Sequence, residues 1–284
     1  MVTQRQRVLV TGAAGRIGRA LRTRLARPGR TLRLLDVAET APAGPGEDVE
    51  VVRASFTDPD AIRAACRGAD AVLHLGGEAG EASWERVREA NIDGTAHLLE
   101  AARAQGVPRV VLASSLHAAG FRSREEAAAA PGGLLAAGSA PRPDTYYGAS
   151  KAALEALGAL YHHRFGMDVS CLRIGAFRPA PLAPEDLAGW LSPDDAARLV
   201  EACLRARPAG FRVLWGISRN TRRWWSLAEG EAIGYHPRDD AEDHLPALLA
   251  SGAFTPDDLD PAAPRNSRVG GAFCTRPLGG AGRG

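Results

Sequence analysis

The sequence predicts an α/β protein, a doubly wound parallel sheet followed by a smaller C-terminal portion. Three observations predict it. Short apolar runs alternate with helical stretches between residues 7 and 175. A turn with glycines at Gly12, Gly15 and Gly18 joins the first apolar run to the first helical stretch. Gly12, Asp36, Gly76, Ser115 and Gly175 all stand at the carboxyl ends of apolar runs, the rim on which such sheets bind ligands.

The first strand is expected over residues 7–10, and the glycine turn leads from it into a helix over 19–26. Gly12 allows a tight turn, Gly15 lets the backbone approach a pyrophosphate, and Gly18 lets the helix pack closely on the strand. Free N–H groups and a positive dipole end at the helix start complete a phosphate site. The second strand, residues 31–35, ends at Asp36, an acid placed to accept both ribose hydroxyls of an adenosine and to repel a 2′-phosphate. NAD is therefore expected over NADP, although Arg16 in the glycine turn is a cation that a 2′-phosphate would attract.

A third strand over 49–52 and a helix over 59–67 follow, then a fourth strand over 71–75 ending at Gly76-Gly77. One long helix is expected over 84–104 and a fifth strand over 109–113, leading to Ser114-Ser115. A helix over 145–165, a sixth strand over 169–174 and a further strand over 211–215 complete the pattern. Ser192 caps a helix reaching about residue 206, with Pro193 first and Asp194 and Asp195 in its first turn. The Ala/Gly/Pro-rich stretch 122–143 is expected to be a flexible lid. Residues 1–175 thus form the dinucleotide-binding domain and 176–256 a small substrate-binding portion interleaved with it. Residues 257–284 read as a disordered tail outside the fold.

Within the 145–165 helix, Tyr147 and Lys151 lie four apart and share one face. A phenol has a pKa of about 10, too high for a base at neutral pH, and a nearby cation lowers it. The pair is suited to take a proton from an alcohol while hydride leaves the same carbon. Read structurally instead, it is a half-buried ring beside a solvated cation.

Composition excludes several classes. The 284 residues carry 35 basic and 33 acidic side chains, a net +2, so no nucleic-acid partner is implied. No apolar run reaches membrane-spanning length, and because the N-terminus leads directly into the first strand no signal peptide is expected. Cys66, Cys171, Cys203 and Cys274 are widely spaced and read as thiols of a reducing, cytoplasmic compartment. The one close histidine pair, His162-His163, does not share a helix face, so no metal site is expected.

Taken together, the glycine turn, Asp36, Asn91, Ser115 and Tyr147/Lys151 resemble the extended short-chain dehydrogenase/reductase superfamily, in its NAD-dependent epimerase/dehydratase branch with a Rossmann fold. Within it, 113–120, 190–195 and Asn220 through Trp225 are similar to the uronate dehydrogenases, over residues 7–250. The paired tryptophans, Trp224 and Trp225, read as core packing or an oligomer contact.

The resemblance implies oxidation at the anomeric carbon of a hexuronic acid by NAD, giving an aldarolactone; the departures at the substrate positions widen this to a sugar-like lactol or secondary alcohol. Tyr147 acts as base. Lys151 lowers its pKa and holds the nicotinamide ribose, and Ser115 bonds the reacting oxygen. Arg16 and Ile17 meet the pyrophosphate, Leu75, Gly76 and Gly77 the middle of the cofactor, and Ser55 and Phe56 the adenine. His117 contacts substrate. The family has asparagine where Leu116 stands, serine where Ala176 stands, and a carboxylate-binding arginine where Glu185 stands, with Arg178 a possible replacement. It also implies a homo-oligomer paired through the 84–104 and 145–165 helices. The alternatives are a sugar epimerase or dehydratase that recycles its NAD, and a non-catalytic NAD-binding regulatory protein.

Overall fold

The computed structural model describes residues 5–280. Its elements in chain order are β1 (Gln6–Thr11), α1 (Arg16–Leu25), β2 (Arg30–Asp36), β3 (Val49–Arg53), α2 (Pro59–Cys66), β4 (Ala71–His74), α3 (Trp84–Val87), α4 (Gly94–Ala104), β5 (Arg109–Ser115), α5 (Arg124–Ala129), α6 (Tyr146–Phe165), β6 (Asp168–Ile174), β7 (Ala176–Phe177), α7 (Asp186–Gly189), β8 (Trp190–Leu191), α8 (Pro193–Arg205), β9 (Phe211–Gly216), α9 (Ala228–Glu231) and α10 (Leu245–Ala250). Seven strands form one parallel sheet in the order β3-β2-β1-β4-β5-β6-β9. The order reverses between β1 and β4, the point at which such sheets bind ligands beyond their carboxyl ends. The two short strands β7 and β8 pair separately, Ala176 opposite Trp190.

The strands are near-continuous apolar runs because both faces of the sheet are covered. Val8, Val10, Leu32, Leu34 and Leu73 pack on one face with Leu21 and Leu25 of α1 and Leu199 and Val200 of α8. Their neighbours Leu9, Val72, Val110 and Leu112 point to the other face, against Ile62, Leu98, Leu99 and Leu154 of α2, α4 and α6. Trp215, Trp224 and Trp225 are 2–5% exposed and belong to the first of these cores, which assigns the tryptophan pair to packing.

Three segments differ from expectation. The 84–104 helix is broken: α3 and α4 are separated by a π-helical stretch, Arg88–Asp93. Asn91 lies in it, buried, its Nδ2 donating to Ser150 Oγ at 2.9 Å and its Oδ1 accepting from Glu78 N at 2.8 Å. Such bulges re-aim one side chain inward, which an amphipathic pattern does not encode.

The 122–143 insert is an ordered wall rather than a flexible lid. Ser123 and Glu126 form a capping box on α5. Leu135, 5% exposed, is stitched to the tryptophan core by Leu135 N→Trp224 O and Ser226 N→Leu135 O, both 2.9 Å.

The expected disordered tail is folded onto the molecule through residue 280; its last residues, 281–284, lie outside those described. Arg124 N donates to Ser267 O at 2.8 Å, Val269 N to Arg122 O at 2.9 Å and Gly270 N to Gly120 O at 2.9 Å. These are backbone bonds, so they leave no apolar periodicity by which the sequence would announce them.

Candidate active site

The β1–α1 turn is shaped by contact. Gly12 has φ +68°, and a Cβ there would stand 2.6 Å from Gly76 N. A Cβ on Gly18 would lie 2.5 Å from Gly12 O. Gly15 is the N-cap of α1, with no side-chain cap and no acid in the first turn, so the first N–H groups of the helix are left for another acceptor. Arg16 is exposed and Ile17 half-buried against the core. Asp36 is held at the end of β2 by Ala14 N and Ala38 N, each 2.9 Å from a different carboxylate oxygen. A turn closed to side chains, a bare helix start and a fixed carboxylate together fit the pyrophosphate and ribose of NAD.

Behind the turn, His74 is buried, with Thr11 Oγ1 at 2.7 Å from Nδ1 and Thr95 Oγ1 at 3.3 Å from Nε2. Burial, then the Lys151 charge, push its pKa down to about 3. Phe56 stands edge-on to His74, ring centroids 5.0 Å apart, and fills the space beside Gly76 and Gly94. Ser55 bonds Thr57 Oγ1 at 2.7 Å. Leu75 is half-buried and packed on the core, while Gly77 is exposed.

Across the crevice, Ser115 ends β5 and Tyr147 opens α6. Thr145 caps that helix through Gly148 N at 3.0 Å. The Ser115 side chain lies beside Tyr147 and favours its phenolate, while its hydroxyl accepts from His117 N at 3.3 Å. Lys151 Nζ lies 5.5 Å from the Tyr147 ring centroid and donates to Ala113 O at 2.8 Å. Burial pushes the Tyr147 phenol up to about 12; the Ser115 side chain opposes this and the Asp144 carboxylate adds to it. Burial likewise pulls Lys151 down to about 8. The protein alone therefore keeps the phenol protonated at neutral pH, and the lysine does not by itself offset the desolvation.

His117 Nδ1 lies 2.7 Å from Asp144 Oδ2, and Thr145 Oγ1 donates to Asp144 Oδ1 at 2.9 Å. The Phe273 ring stacks on His117 with centroids 4.0 Å apart, and the Arg276 guanidinium lies 3.9 Å from the Phe273 centroid. A side chain at Gly120 or Gly270 would overlap the Asp144 carboxylate. Glu81, also buried, accepts from Tyr147 N at 2.9 Å and Gly279 N at 2.8 Å, which ties the tail to the start of α6. Sequence reading missed Asp144, Glu81 and Phe273. Asp144 immediately precedes Thr145, the capping threonine of α6, which is a sequence signal; Glu81 and Phe273 carry none.

The remaining expected substrate residues lie on the same side. Leu116 Cδ2 is 4.0 Å from where a Gly189 Cβ would stand, and the Trp225 ring is 2.6 Å from that point. Ala176 is half-buried in β7. Glu185 lines a separate cavity of about 310 Å³ with Trp225, Arg124 and Arg223. Arg178 is engaged by Asp186 at 3.5 Å. A larger cavity, about 660 Å³, lies at the amino ends of β1, β4, β5 and β6, the end of the sheet opposite the chemistry.

The model of the NAD-dependent epimerase/dehydratase family matches residues 8–178. A uronate dehydrogenase of Pseudomonas syringae is 40% identical over 83% of this chain and 83% of its own. An NAD-dependent glucose-6-phosphate dehydrogenase of Haloferax volcanii is 35% identical over 83% of this chain and 94% of its own. A crystal structure of the Agrobacterium tumefaciens uronate dehydrogenase, a tyrosine-to-alanine mutant complexed with NAD, superposes with a TM-score of 0.85 at 37% identity, covering 96% of this chain and 98% of that one. With the glycine turn, the fixed Asp36 and the Ser115–Tyr147–Lys151 cluster on one rim, the chain belongs to the NAD-dependent epimerase/dehydratase family, as an NAD-dependent dehydrogenase within it.

Proposed function

We propose that the protein oxidises the anomeric carbon of a cyclic sugar, a lactol, to a lactone, with Tyr147 as the base. NAD, when bound, accepts the hydride that leaves this carbon and brings a positive charge into the site. Ser115 holds the reacting hydroxyl. Tyr147 takes its proton, the nearby positive charges favouring the phenolate that burial disfavours. Lys151, anchored on Ala113 O, holds the nicotinamide ribose. His117, kept in one orientation by Asp144 and Phe273, presents its other ring nitrogen to the sugar. Arg16 and Ile17 meet the pyrophosphate, Asp36 the adenosine ribose, Ser55 and Phe56 the adenine, and Leu75, Gly76 and Gly77 the middle of the cofactor. Leu116 and Ala176 wall the sugar.

The observation that supports this reading most is the hydroxyl–phenol–ammonium cluster of Ser115, Tyr147 and Lys151 on the rim that carries the glycine turn. The test is NADH absorbance on incubating the protein with NAD and a panel of uronates, aldoses and aldose phosphates. Steady NADH production that disappears in Tyr147→Phe is the expected result. Product without net NADH would make it an epimerase, and NAD binding without turnover a regulatory protein.

Among the described residues no helix is long and apolar enough to cross a membrane. We place the protein in the cytoplasm, in keeping with its four free cysteines, a placement cell fractionation tests. Exposed Trp84, Leu160 and Phe165 lie on α3 and α6 and support a homo-oligomer paired through these helices, to be tested by light scattering.

A further inference from the structure

The cavity beside Glu185 is lined by five arginines, Arg124, Arg222, Arg223, Arg265 and Arg268, and by one carboxylate, Glu185. Two of the arginines are neutralised from outside its wall. Arg222 bonds Glu242 at 2.7 Å, and Arg265 approaches Asp258 to 3.3 Å. The other three have no carboxylate within salt-bridge distance among the described residues. Arg124 lies over the Trp224 ring at 5.1 Å, with Nε bonded only to Asn266 O at 3.3 Å, and burial pulls its pKa down. Arg268 lies over the Phe121 ring at 5.3 Å. Arg223 reaches Asn220 O at 3.1 Å, and its Nε is buried with no partner.

Cations gathered in a partly enclosed space repel one another and lose hydration, a cost that a bound anion removes. A cleft lined by one sign of charge also focuses its field and concentrates the opposite ion. Guanidinium groups held on aromatic faces are pre-organised forks for the oxygens of a phosphoryl group. At about 310 Å³ the cavity has the volume of a small-ligand site.

One residue links the cavity toward Ser115. Trp225 lines it, and the Trp225 ring and Leu116 close on the same point at Gly189, with Leu116 following Ser115 directly. Arg124 of the insert and Arg265, Asn266 and Arg268 of the tail line it, and the two segments are joined where Arg124 N donates to Ser267 O at 2.8 Å.

We propose that this cavity is a phosphoryl subsite, so that the sugar oxidised at Tyr147 is a phosphorylated one whose phosphate sits among Arg124, Arg223 and Arg268. The inference rests on the lactol dehydrogenase reading for the sugar and on this cavity alone for the phosphate. Glu185 limits the charge the site accepts: it faces the subsite as a like charge to any oxyanion and holds its affinity down.

Two measurements on the full chain test it. Calorimetry with inorganic phosphate at fixed ionic strength reads the cavity without turnover. Arg223→Gln and Arg268→Gln each should weaken phosphate binding by roughly tenfold or more, with NAD binding unchanged. Glu185→Gln, which removes no cation, should tighten it severalfold. Kinetics then separate the sources of the phosphoryl group. If it belongs to the substrate, an aldose phosphate should exceed the free aldose in kcat/KM by at least about tenfold. That ratio should fall toward one in Arg223→Gln, and inorganic phosphate should compete with the sugar phosphate. Phosphate binding no tighter in the wild type than in the arginine variants overturns the subsite, even if free sugars are oxidised. Specific phosphate binding with no NADH from any sugar leaves the subsite standing and overturns the dehydrogenase reading.

Discussion

The two sides of the crevice are built differently. The cofactor side is made by regular elements meeting at short range: β1, α1, β2 and β4, fixed by Gly12, Gly18 and two backbone amides on Asp36. The side proposed to take the substrate is assembled from segments far apart in the chain: Ser115, Asp144, Tyr147, Glu185, Trp225 and Phe273. On one side the glycine turn has no room for a side chain without shifting backbone. The other can be retuned by exchanging a side chain or a stretch of tail.

The largest expected break falls where the two sides meet. Tyr147→Phe removes the proton acceptor but leaves the cofactor side intact. Turnover should fall by about 10²–10⁴-fold with NAD affinity retained, and loss of NAD binding instead would mean the two sides are not separable.

Next comes acid stability of the cofactor side. Buried His74, with its pKa depressed from 6.5 to about 3, must stay neutral in the folded state while the unfolded chain protonates at about 6.5. Its contribution is therefore present above pH 6.5 and is lost as pH falls toward 3, at about 1.4 kcal/mol per unit and on the order of 5 kcal/mol in all. Urea denaturation at pH 7, 5 and 4 should show the wild type losing stability faster than His74→Asn. Parallel losses would remove His74 from the account.

On the substrate side, deleting residues 267–284 strips Phe273 from His117 and opens the crevice to water. We expect kcat/KM to fall on the order of 10²-fold with NAD affinity unchanged, read by steady-state kinetics beside fluorescence titration of NADH. Asp144→Asn should cost about tenfold in kcat/KM by releasing His117, and an intact value would reduce that carboxylate to a packing role. The smallest effect returns to the cofactor side. Asp36→Ala should relax selectivity toward NADP about fivefold, and unchanged selectivity would assign the discrimination elsewhere.

Much of the cofactor side was legible in the chain. Parallel strands buried on both faces read as continuous apolar runs, and a turn that must exclude side chains reads as spaced glycines. The same local logic placed Tyr147 and Lys151 on one face of a helix. It failed at residues 84–104, where Asn91 is turned inward by hydrogen bonds to Ser150 and Glu78 that no periodicity records. It failed again at Leu135 and at Val269, which are held by backbone bonds to distant segments.

The sequence by itself determined the sheet, the glycine turn, the acid at the end of β2 and the phenol–ammonium pair, because each depends on neighbours within a turn or a strand. Only the tertiary structure decided that Asp144 orients His117, that the tail stacks Phe273 upon it, and that five arginines share a cavity with Glu185. These contacts join residues from 27 to more than a hundred positions apart, beyond the reach of any helix or strand period. Their specificity lies in proximity that only the folded chain creates.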